Sequence, residues 1–185
     1  MPIIAYLGKD IIEYNAESQK YLDLLHFYCP SHGSELRYHD KYNRQVKDYK
    51  TSISVHRLKC PFKNCPYTQA ILPDFLQPYK QYSAHEITNV LVETEPGGSV
   101  LEIDSKASVS TVRRWISQYE TILDEKTSQI KALIFQKTKM VVNEMTLSIK
   151  PMETIHKLFT YLPAINCTNT LGAAFIYSSA LSVST

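Results

Sequence analysis

Two pairs of metal-binding side chains, Cys29-x2-His32 and Cys60-x4-Cys65, constrain this 185-residue chain more than any other feature. Zinc takes four soft or borderline ligands in a tetrahedron, and two close pairs on two tight turns supply them at little cost in chain entropy. Pro30 and Pro61 each follow the first cysteine of a pair, which favours a turn there. Three of the four cysteines fall in this arrangement. The segment from Met1 to Leu7 has neither a basic region nor a cleavage site, so it does not read as a secretory signal. A reducing, cytoplasmic setting is therefore expected, and with it a metal rather than disulfides.

The expected ligand set is Cys29, His32, Cys60 and Cys65 around one structural Zn2+, because four protein ligands leave no position for a substrate water. His26, His39 and His56 are near enough in sequence to take the place of His32. Cys167 stands apart and reads as a small buried hydrophobe. His85 and His156 are lone histidines on expected helices and receive no role.

A formal charge of +2 is too small to argue for nucleic acid by itself, so the case rests on where the charges sit. Between Lys41 and Lys63 the chain carries Lys41, Arg44, Lys47, Lys50, Arg57, Lys59 and Lys63 against one acid, Asp48. The most apolar run, Leu171 to Val183, is shorter than a membrane span and diluted by Ser178, Ser179 and Ser182, so no membrane association is expected.

Patterning divides the chain into an N-terminal arm (1–28), a β-rich zinc ribbon (29–66), a Pro/aromatic connector (67–82), a helix-turn-helix (83–120) and a C-terminal helical region (121–185). The fold class is α+β. A strand is expected at Ile3 to Leu7, and the β-formers from Thr51 to Leu58 fit strands between the two metal-binding turns. Ser83-Ala-His-Glu86 matches a capping box opening a first helix, which Pro96-Gly97-Gly98 ends. Ser99 caps a second, short helix with Val100, Leu101 and Ile103, and Ser108 caps a third from Val109 to Tyr119. Beyond Glu120, Leu123, Ile130, Leu133, Ile134 and Val141 mark apolar helical faces, followed by a shorter segment from Met152 to Leu162.

In the third helix Val109, Val112, Ile116 and Tyr119 recur at helical spacing beside Trp115, leaving a polar face of Ser108, Ser110, Thr111, Arg113, Arg114, Ser117 and Gln118. No acid occurs from Lys106 through Tyr119. A recognition helix places its N-terminal residues at base edges and its flanking cations on phosphates. Ser110, Thr111 and Arg114 are positioned for bases, Arg113 and Lys106 for the backbone, with Ser108, Gln118, Lys41, Arg44 and Lys47 completing the expected DNA-binding set. A plain solvated face of a three-helix core accounts for the same residues. The acids Glu86, Glu93, Glu95, Glu102 and Asp104 must face away from any duplex.

The Cys-Pro-x-His pair, the β-rich spacer, the second Cys pair, Leu72-Pro73-Asp74-Phe75-Leu76-x-Pro78-Tyr79-x-x-Tyr82-Ser83 and Ser110-Thr111-Val112-Arg113-Arg114-Trp115 together resemble a family of short bacterial proteins. That family is similar in layout to the N-terminal zinc-ribbon and helix-turn-helix regions of insertion-sequence transposases. The resemblance covers roughly residues 25–120 and implies DNA recognition connected with mobile elements. His32 stands where a cysteine is common, and the second pair is widened.

A transposase also needs three carboxylates on an RNase H-like scaffold. After Glu120 only 65 residues remain, with Asp124, Glu125, Glu144 and Glu153 as their acids, and no phosphate loop or nucleophile elbow occurs elsewhere. The expectation is therefore a non-enzymatic, sequence-specific protein on double-stranded DNA, serving transposition or transcription regulation. The alternative is a zinc-stabilised interaction module docking on a partner such as a transposase. Apolar positions from Leu123 to Leu147 could mediate a homodimer.

Overall fold

The computed structural model describes residues 2–94, 99–142 and 151–162, which form a mixed α+β protein with a four-stranded sheet and four helices. Two compact units divide the chain, Met1–Ser83 and Ala84–Thr185. Cys167, the run from Leu171 to Val183, the Pro96-Gly97-Gly98 stop, Glu144 and Leu147 lie outside the described residues.

The first unit contains β1 (Ile3–Ala5), α1 (Ile11–Leu22), β2 (Arg37–Val46), β3 (Thr51–Lys59) and β4 (Thr68–Pro73). Sheet order is β1-β4-β3-β2, parallel between β1 and β4 and antiparallel elsewhere. Residues 1–28 are thus no detached arm: β1 is an edge strand and α1 covers a sheet face. The segment 67–82 is likewise no mere connector, because its first half is β4, an inner strand. Pro73 ends that strand, where a missing N–H does no harm.

Helix α1 starts where Asp10 accepts a hydrogen bond from the Glu13 amide at 2.9 Å. Its buried residues, Ile11, Tyr14, Ser18 and Leu22, fall on one stripe. Tyr14 Oη donates to the Ser54 carbonyl of β3 at 2.8 Å, and Ser18 Oγ lies 3.2 Å from His56 Nε2. Just upstream, Gly8 has φ +123°, and a Cβ there would come within 3.0 Å of the Tyr14 amide nitrogen, so the tight entry into α1 requires glycine.

On the opposite face, register places Ile53, Val55 and Leu72 together. The segment 74–83 is laced to the sheet beneath. The Asp74 amide donates to the Ala5 carbonyl at 2.9 Å, the Lys47 amide to Gln81 at 2.7 Å, and the Ser83 amide to Asp48 Oδ1 at 3.0 Å. The guanidinium of Arg44 donates to the carbonyls of both Gln77 and Lys80.

The second unit contains α2 (Ala84–Glu93), α3 (Val109–Thr138) and α4 (Pro151–Phe159). The expected helix at Val100 to Ile103 is instead a turn, closed by Glu102 N–H to the Ser99 carbonyl at 3.0 Å. Leu101 is 75% exposed, so nothing is buried that could hold so short a helix. The third helix does not stop at Tyr119: α3 runs 30 residues, about 45 Å, as one rod. Its stripe Val112, Trp115, Tyr119, Leu123, Ile130, Leu133 and Ile134 stays buried throughout, and α2 and α4 pack on it. Val109 and Val141, expected on apolar faces, are exposed.

His56 is 1% exposed, and burial beside Lys41 pushes its imidazole down to about 4. The folded state therefore holds His56 neutral where an unfolded chain protonates it, so stability is full above pH ~6.5 and declines as pH falls towards 4. Urea midpoints measured from pH 7 to pH 4 should fall more steeply for the native chain than for a His56→Gln variant; parallel curves would contradict this.

Candidate metal centre

Both ligand pairs sit at one end of the β2-β3-β4 sheet because strand register puts them there. Arg37, the first residue of β2, pairs with Lys59, the last of β3, and Lys59 pairs in turn with Thr68, the first of β4. The loop bearing Cys60 and Cys65 is the β3–β4 connection, closed by Cys60 N–H to the Tyr67 carbonyl at 3.1 Å and Cys65 N–H to Phe62 at 3.0 Å. The turn bearing Cys29 and His32 leads into β2. There the Gly33 amide donates to the Cys29 carbonyl, and the Cys29 amide to Ser34, both at 2.8 Å. Gly33 takes φ +61°, the left-handed conformation that returns the chain after His32.

The result is a cluster in which one ligand atom from each of Cys29, His32, Cys60 and Cys65 lies within 4.8 Å of the others. Cys29 Sγ is 3.8 Å from Cys65 Sγ and 3.5 Å from His32 Nδ1, and Cys60 Sγ is 3.7 Å from the same nitrogen. A tetrahedron with metal–sulfur bonds of about 2.3 Å and metal–nitrogen bonds of about 2.0 Å requires edges of about 3.8 Å between sulfurs and about 3.5 Å between sulfur and nitrogen. The donor set fits such an ion. A disulfide needs sulfurs about 2.05 Å apart, and Cys29, Cys60 and Cys65 are all free.

All three cysteines are buried, while His32 is exposed and stacked on Phe62, ring centroids 4.6 Å apart and 15° from parallel. Desolvation disfavours the Cys60 thiolate, yet hydrogen bonds from Ser34, the Phe62 backbone and the neighbouring thiols bring it down to about 6. At Cys65 the Tyr67 backbone favours the thiolate, but desolvation and the Cys60 and Cys29 sulfurs outweigh it and push the thiol up. Thiolates packed this closely repel one another until a cation sits between them.

The other candidate histidines are placed elsewhere. His26 Nδ1 contacts Glu35 Oε1 at 2.5 Å, His39 is exposed on β2, and His56 is buried against α1. Sequence reasoning missed Ser34, Phe62 and Gly33 as supports of the cluster. Only Gly33, directly after a ligand, carried a readable signal.

The expected DNA-binding residues fall into both units. Lys41 and Lys47 are exposed on the first, with Lys47 Nζ 5.9 Å from the Tyr82 ring centroid. Arg44 is half-buried and braces the 77–80 turn. In the second unit Ser108, Ser110, Arg113, Arg114 and Gln118 are exposed and Thr111 half-buried. Ser108 caps α3 by accepting from the Thr111 amide at 3.4 Å. Lys106 is exposed, and its amide donates to Glu86 at 2.6 Å, as does Ser105 Oγ at 2.8 Å, so the buried Glu86 carboxylate is turned into the α2–α3 connection. No helix among the described residues is long and apolar enough to cross a membrane.

Arg44→Ala should lower unfolding stability by about 1.5–3 kcal/mol, because it removes charged hydrogen bonds to two carbonyls; denaturant titration showing no change would assign Arg44 to ligand contact alone. Among known proteins, no curated protein and no solved structure matches the chain. Residues 29–115, from Cys29 of the cluster to the buried Trp115 of α3, are similar to a family described as a domain of unknown function (DUF6431).

Proposed function

We propose that this chain is a sequence-specific binder of double-stranded DNA, serving a mobile element or transcription regulation, whose first unit is a zinc ribbon built around one structural zinc ion. The observation that carries the reading is the N-terminal half of α3. Val112, Trp115 and Tyr119 point inward, while Ser108, Ser110, Arg113, Arg114, Ser117 and Gln118 are exposed on a stretch without acids. Neither arginine makes an ion pair among the described residues. A helix of this kind enters a major groove with Arg114 able to take a two-pronged hold on guanine, Ser110 and Thr111 at neighbouring base edges, and Arg113 and Lys106 on phosphates. α2 and α3 then form the helix-turn-helix, with a connection longer than the three or four residues of its compact form. The turning of Glu86 away from solvent supports the same reading, since it removes one carboxylate from the duplex side.

Zinc suits the donor set best because three thiolates and an imidazole are soft to borderline ligands and the separations Cys29–His32, Cys60–His32 and Cys29–Cys65, 3.5, 3.7 and 3.8 Å, match tetrahedral edges. Cys29, His32, Cys60 and Cys65 would hold it with no open position, so it supplies folding energy, on the order of 10 kcal/mol in small zinc modules. Chelation should therefore lower the melting temperature, and the cobalt-substituted protein should show thiolate-to-metal absorption that Cys65→Ser weakens. A zinc-loaded protein that melts identically with and without chelator would refute the structural role.

Retention of duplex fragments in excess random DNA tests the DNA reading. The native chain should hold a subset of fragments, with log affinity falling linearly against log salt, and Arg113→Ala/Arg114→Ala should lose the selectivity and reduce the slope by about 2. Equal, weak retention of every fragment by both proteins would sink the recognition helix.

A further inference from the structure

We infer that the first unit carries a second ligand site, a cleft on the sheet face away from α1 that takes a nucleotide with its base against Tyr42 and Tyr79. The cleft is open to solvent, has a volume of about 500 Å³ and is lined chiefly by Tyr42, Arg44, Thr68, Ala70, Tyr79 and Lys80. That volume is within the range of small-molecule sites.

Ala70 lines the hollow. It is the cross-strand partner of Arg57, in the middle of β4, and its single methyl leaves the space that a larger side chain would fill. The walls are oriented rather than loose. Arg57 Nε donates to Asp40 Oδ1 at 2.6 Å and its second nitrogen to Oδ2, which holds the guanidinium 5.8 Å from the Tyr42 ring centroid. Tyr79 is 83% exposed and adopts φ +61°, a left-handed conformation rare for a bulky residue and concentrated at functional sites. Arg44 clamps the carbonyls of Gln77 and Lys80, on either side of it, so the turn presents an aromatic ring to solvent at the cleft rim.

The lining includes two cations, Arg44 and Lys80, and no acid. Two phenol rings, Tyr42 beside Arg57 and Tyr79 exposed at the rim, can accept a planar base by stacking, the cations favour an anion, and Thr68 and Gln81 offer uncharged hydrogen-bonding groups for a base edge. A nucleotide joins a flat ring to a phosphate and so meets all three features. It can arrive free or as an unpaired residue of a single strand. The inference does not rest on the duplex reading of α3, whose residues belong to the other unit.

The test uses the full chain and a fluorescently labelled mixed-sequence eight-nucleotide DNA strand, followed by anisotropy. The native protein should bind it, Tyr79→Ala should weaken binding roughly tenfold, and Ala70→Phe should abolish it, while Arg113→Ala/Arg114→Ala leaves it unchanged. Displacement by millimolar mixed nucleoside monophosphates would mark free nucleotide as a sufficient ligand; resistance to them would mark the strand itself. Absence of binding, or binding indifferent to both Tyr79→Ala and Ala70→Phe, would overturn the cleft. Binding lost only in the arginine double variant would also overturn it and leave the α3 reading standing.

Discussion

Closure of one sheet end by Cys29, His32, Cys60 and Cys65 is the constraint on which the first unit depends. β2, β3 and β4 all begin or end within a few residues of these ligands, so the cluster sets where each strand enters the sheet. The turns around it are short and rich in backbone hydrogen bonds, but they bury little besides the cysteines, Leu36 and the flanking Phe27, Leu58 and Tyr67. A core that small contributes little against the entropy of ordering two loops, and the zinc ion proposed above would supply the difference.

Away from that end the sheet is held by more ordinary forces. One face is covered by α1, whose contact with β3 combines a tyrosine hydroxyl on a backbone carbonyl with a buried serine–histidine pair. The other is covered by an irregular segment after β4, which relies on Arg44 and Asp48 for anchorage. The same segment presents Tyr79 and bounds the cleft, so the element that completes the core also shapes a surface. That dual use explains a half-buried arginine on an edge strand, where a solvated cation is the usual expectation.

The helical unit is organised by the long α3. Its buried stripe continues past Tyr119, so one rod offers a polar, acid-free end and, further along, a packing surface for α4. Among its buried positions is Lys126, whose ammonium donates to Gln129 at 3.1 Å and whose charge burial disfavours. The charge of the unit is therefore distributed by position along one helix rather than by overall composition.

The two close pairs Cys29/His32 and Cys60/Cys65, the α+β class, the strand at Thr51–Lys59 and the start of α3 at Ser108 were legible in the sequence, because each rests on local chemistry: residue spacing, β-branched runs and a side-chain cap. What only the tertiary structure decided depends on partners distant in the chain. α1 was obscured because Ser18 occupies one of its four buried positions and finds its partner in His56, 38 residues away. β4 was hidden by the prolines around it, which read as a connector until register with β1 and β3 placed it inside the sheet. Excluding His26, His39 and His56 from the cluster, and bringing Tyr42 and Tyr79 to one cleft beside Ala70, required the tertiary fold, which no local spacing encodes.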